Sequence, residues 1–93
     1  MTSKQLQALI DAETTNTLTI GETVLIQDRS SINIRELNII SSADPVFSIQ
    51  GKHWMVQSGK VTASNGTLFD CINSQSGLVQ NVFMSGFFKS KAL

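Results

Sequence analysis

Three consecutive 22-residue segments of this chain can be laid one above another: residues 24–45 (VLIQDRSSINIRELNIISSADP), 46–67 (VFSIQGKHWMVQSGKVTASNGT) and 68–89 (LFDCINSQSGLVQNVFMSGFFK). Four apolar columns result. They are Val24, Val46 and Leu68; Leu25, Phe47 and Phe69; Ile34, Val56 and Leu78; and Ile39, Val61 and Phe83. Small residues share columns at Ser41, Ala63 and Ser85, and at Ser42, Ser64 and Gly86. Glu36, Ser58 and Gln80 stay polar together. One repeat cannot bury its own apolar face, so successive repeats stack like upon like. The segments carry no helix-forming stretch and no leucine-rich signature. The expected fold is therefore all-β: a short right-handed parallel β-helix of about three 22-residue coils. At about 4.8 Å per parallel strand the coils climb roughly 15 Å.

The first coil leaves its register open. Ile49 and Cys71 align, but the matching earlier residue is Gln27, with Ile26 beside it. A one-residue shift would set Val24 and Ile26 over Phe47 and Ile49. Such a shift turns every side chain to the other face.

Residues 3–13 (SKQLQALIDAE) read as a helix that caps the coils. Ser3 is the expected N-cap, and Leu6, Leu9 and Ile10 form a narrow apolar stripe. Asp11 and Glu13 oppose the helix dipole at its C-terminal end. From Thr14 the chain turns threonine-rich, which favours extended structure. The expected organisation is a helix and cap over 1–16, a β-helix over 17–89 and a tail over 90–93.

A 93-residue chain has one small domain's worth of core, and such domains often need support. Cys71 is the single cysteine, so no disulfide forms within the chain. One His and one Cys do not make a structural zinc site, so oligomerisation is the remaining support. The formal net charge is zero, which disfavours nucleic-acid binding by phosphate neutralisation. Acids concentrate before residue 45 (Asp11, Glu13, Glu22, Asp28, Glu36, Asp44), whereas Lys52, Lys60, Lys89 and Lys91 follow it. One end of a climbing chain would be acidic and the other basic. Neither a signal peptide nor a membrane span is recognisable, so a soluble protein is expected.

The columns, the N-terminal helix and the run from Ile32 to Val82 resemble the parallel β-helix proteins of bacteriophage particles, of the pectate-lyase-like kind. INIRELNI (32–39), PVFSIQG (45–51) and GLVQNVFM (77–84) carry the resemblance, which covers about residues 17–87. It implies a virion protein, assembled in the host cytoplasm and often trimeric. The span from Met1 to Leu93 looks like a complete small member.

Catalysis is not expected. Polysaccharide-cleaving members need two neighbouring carboxylates. Asp28 stacks on Gln50 and Ile72, Asp44 on Gly66, and Asp70 on Ser48 and Ile26, so no two acids share a column. His53 and Trp54 would form a sugar platform only if both faced out, and neighbours on a strand alternate. Cys71, beside Phe69 and Ile72, reads as a core filler. The dispersed glycines make no phosphate loop, and Asn65-Gly66-Thr67 matches both a glycosylation sequon and a tight turn. No cofactor is expected.

Apolar columns supply the interaction sites instead. Neighbours on a strand cannot both face inward. If Leu25, Phe47 and Phe69 form the outer column, they make a stripe that closes a homotrimer. If a turn intervenes, both columns are core. Phe87 and Phe88, followed by Lys89 and Lys91, either cap the open end or dock it on an acidic partner such as a major capsid protein. The functional expectation is a non-enzymatic capsid decoration or cement protein. The alternative is a tail fibre or tailspike segment that binds a host-surface glycan.

Overall fold

Thr2 opens the first element. Its side chain accepts the Gln5 N–H at 3.2 Å, and the Gln5 side chain accepts the Thr2 N–H at 2.8 Å. This reciprocal capping box starts helix α1 (Ser3–Ala12), one residue before the expected cap. Ser3 instead lies buried, with its hydroxyl 3.0 Å from that of Ser30. Leu6 and Ile10 are buried, whereas Leu9 is 42 % exposed. The acids at the helix C-terminus have local uses. The Glu13 carboxylate accepts the N–H groups of Thr14 and Thr15 and the Thr15 hydroxyl, which turns the chain out of the helix. Asp11 meets Arg35 at 3.2 Å.

The computed structural model describes residues 1–71 and 76–89. After α1 come β1 (Thr17–Ile20), β2 (Val24–Ile26), β3 (Ser30–Asn33), β4 (Asn38–Ser41) and β5 (Phe47–Ile49). Two long strands follow, β6 (His53–Asp70) and β7 (Ser76–Lys89). All pairings between these strands are parallel.

The expected three-coil β-helix is not what the chain builds. Its strands form one curled parallel sheet, an open half-barrel, rather than a clear solenoid. The order is mixed: β1-β4-β6-β5-β2, with β3 and β7 also joined to β6. The reason lies in β6. It runs for 18 residues without a break, and β3, β4 and β5 lie one after another along it. Nor is the spacing fixed at 22 residues. Paired residues are 24 apart at Ser30 and Trp54, but 19 apart at Phe69 and Phe88.

Shifted register explains the core. Val24 pairs with Phe47 and Ile26 with Ile49, the one-residue alternative left open by the sequence. Phe47 pairs with Phe69, and Phe69 with Phe88. The three rings stack with centroids 4.9 Å and 5.1 Å apart, close to the strand spacing. Val46 and Leu68, their chain neighbours, are fully buried too. Val46 precedes β5 in a turn after the cis Asp44–Pro45 bond. In β6 the register with β7 slips between Thr62 and Thr67 and again before Phe69, so Leu68 and Phe69 both reach the core. Ile10, Ile20, Ile32, Ile34, Ile39, Val56 and Val61 complete it.

The sheet edges on the helix side are covered. Thr2 bridges to Leu25, and the Leu25 N–H donates to the Met1 carbonyl at 2.8 Å. The Gln7 side chain treats Asn33 as a strand would. Its Oε1 accepts the Asn33 N–H at 2.9 Å, and its Nε2 donates to the Asn33 carbonyl at 3.0 Å.

Candidate functional site

β7 is the one long strand here with a single partner, β6, among the described residues. Its other edge therefore offers unpaired backbone groups, a ready template for another strand. Proteins usually blunt such an edge with charge or proline. From Ser76 to Phe88 this strand has neither. It also displays large apolar side chains: Phe83 is 81 % exposed, Phe87 74 %, Phe88 61 % and Leu78 51 %.

Register produces this surface. Leu78 and Phe83 fall in inward columns of the 22-residue alignment, but β7 pairs 23 residues on from β6. Val56 lies beside Val79, and Val61 beside Met84. Val79, Val82 and Met84 pack against the core, while Leu78 and Phe83 point away. The added residue is accommodated at a corner. Ser58 in β6 and Asn81 in β7 both have left-handed backbones, with φ of 68° and 56°, and Glu36 takes 65° at the same corner. Asparagine tolerates that conformation better than most residues. Asn81 was thus the one sequence signal for the shift.

The corner borders an open groove of about 500 Å³. Phe83 forms one wall, and Glu36, Ser58, Lys60 and Asn81 supply its polar lining. Two glycines shape the rest of β7. Gly77 sits against the Trp54 indole where a Cβ would overlap the ring. Gly86, at φ 147°, brings the backbone within reach of Leu68, whose Cγ would lie 2.7 Å from an added Cβ.

The residues singled out from sequence separate clearly. Phe47 and Phe69 are fully buried, and only Leu25 of that column is partly exposed. The outer stripe proposed to close a homotrimer is therefore not on the surface. Its true outward row, Leu25, Ser48 and Asp70, is mostly polar. Phe87 and Phe88 do reach the open edge, so they do not bury themselves as a cap. Lys89 ends β7, and Lys91 lies outside the described residues.

The other candidates have structural placements. Trp54 is half-buried and stacks on Phe69 at 5.4 Å, while His53 points outward. The pair therefore makes no common platform. Asp28 closes a turn: its Oδ1 accepts the N–H groups of Lys52 and His53, each at 3.0 Å. The His53 N–H chiefly holds the carboxyl below its usual range, with Lys52 adding to it. Burial pushes the Cys71 thiol up, and Asp70 adds to that, so thiolate is disfavoured. Asn65, of the Asn-Gly-Thr sequence, donates to the Ser42 carbonyl from its side chain. No helix among the described residues is long and apolar enough to cross a membrane.

An exposed, neutral strand edge with projecting aromatics can pair backbone to backbone and bury apolar surface at once, which is the chemistry of assembly. No family model, curated protein or solved structure matches this chain.

Proposed function

We propose that this chain is a non-enzymatic structural protein, a virion component that acts by assembly, and that the free edge of β7 is its assembly surface. One observation carries the reading: Leu78, Phe83, Phe87 and Phe88 are all more than half exposed on a single strand whose outer edge is unpaired. A lone exposed leucine is ordinary, but four large apolar residues along one edge form a patch of the kind that marks interfaces. The phage-like resemblance supplies the setting, a capsid as partner. The glycan-binding alternative loses its support in Trp54, which is half-buried against Phe69.

The test is incorporation. Virions purified on a density gradient should retain the chain. The double variant Phe87→Ser, Phe88→Ser should move it to the free-protein fraction while its circular dichroism stays unchanged. Wild-type chain found only as free protein would overturn the reading.

A further inference from the structure

The order of residues along β7 reads nearly the same in both directions. From Leu78 to Phe88 the sequence is LVQNVFMSGFF. Phe83 stands at its centre. Moving outward, apolar Val82 mirrors apolar Met84, and polar Asn81 mirrors Ser85. Gln80 mirrors Gly86, Val79 mirrors Phe87, and Leu78 mirrors Phe88. The bends are mirrored as well, with left-handed Asn81 on one side of Phe83 and positive-φ Gly86 on the other. A two-fold axis perpendicular to the sheet at Phe83 would therefore bring this strand antiparallel to itself, apolar on apolar and bend near bend.

We propose that β7 pairs with β7 of a second copy of this chain, antiparallel, about a dyad at Phe83. This rests on the reading of β7 as the assembly surface and names its occupant. An axis through a residue sets each residue opposite one of the same face, as antiparallel pairing requires. Outward Phe83 then meets the partner's Phe83, and core-facing Val82 meets the partner's Met84. Aromatic pairs across strands are favourable, and an uncharged strand meets its own copy without repulsion. A strongly charged partner would find no counter-charge between Ser76 and Phe88.

The area is of the right order. At roughly 200 Å² for a whole aromatic side chain, the exposed parts of Phe83, Phe87, Phe88 and Leu78 offer about 500 Å². The strand between them brings this toward the about 800 Å² per partner of a standard interface. The far side of the sheet also limits growth. The Thr2–Leu25 bridge and the Gln7 amide on Asn33 obstruct head-to-tail stacking there, so pairing closes at two copies.

Light scattering and sedimentation up to about 0.1 mM chain should give twice the 10.1 kDa chain mass. Phe83→Lys places two ammonium groups opposite each other at the dyad and should return the protein to 10.1 kDa with unchanged circular dichroism. Leu78→Lys, away from the axis, should weaken the dimer at least tenfold and guards against misfolding of the first variant. With Cys71→Ser, Phe83→Cys should oxidise to a covalent dimer, because a residue on a dyad meets itself. A monomeric or trimeric wild type, or a dimer indifferent to both lysines, would overturn the proposal. If the wild type is monomeric but Phe87→Ser, Phe88→Ser still abolishes incorporation into virions, self-pairing fails and the assembly reading stands. If incorporation is also unaffected, both fail.

Discussion

Phe69 and Phe83 are the same residue type at opposite ends of the exposure range, and their substitutions should differ accordingly. Phe69 is fully buried between Phe47 and Phe88 and also touches Trp54. Phe69→Ala should cost about 3–5 kcal/mol in urea unfolding, a large share of a small domain's stability. Phe83→Ala, measured in dilute monomer, should change it by less than about 0.5 kcal/mol. Equal costs would contradict the register. Asp28 gives a pH signature. Folding lowers its pKa, so its contribution is present above the ordinary carboxylate value and is lost as pH falls through the lower folded one. The urea midpoint of Asp28→Asn should fall less than that of the wild type on acidification to about pH 3. Parallel curves would show that the turn does not use the charge. Sequence revealed which residues were apolar, but not that Phe83 faces out, because one left-handed residue at Asn81 reverses every later side chain.

At the scale of elements, α1 was legible because its cap and its apolar positions are local signals. Its Gln7 was not, since the partner backbone at Asn33 is 26 residues away. Gln7→Ala should expose that edge. The expected loss is about 0.5–1.5 kcal/mol, with faster hydrogen exchange at the Asn33 amide. Unchanged exchange there would show that the side chain does not hold the edge. Gly77 is another long-range case. Gly77→Ala drives a methyl into the Trp54 ring, so tryptophan fluorescence should shift toward that of a solvated indole. The strands themselves were harder. Their apolar bursts were evident, yet the continuity of β6 through Ser58 was hidden. A left-handed residue there bends the strand without ending it.

For the whole molecule, stacking of distant segments was legible, and parallel pairing at separations near 22 residues followed. The closed, evenly wound solenoid did not, because the separations drift from 24 to 19 as turns lengthen or shorten. A strict repeat would have predicted equal ends. The observed ends are unequal, one guarded by α1 and the other formed by the bare edge of β7. If that edge holds a second copy, dilution should lower the melting temperature, whereas a monomer melts independently of concentration.

The helix guard also sets where this architecture can grow. A tandem duplication of residues 68–89 placed after Lys89 would meet receptive backbone and an aromatic ring, Phe88, ready to carry the next one. The same segment inserted before Thr2 would have to displace the Gln7 amide and the Leu25 bridge first. Lengthening is thus directional, with α1 as a fixed origin from which longer descendants of this chain can be measured.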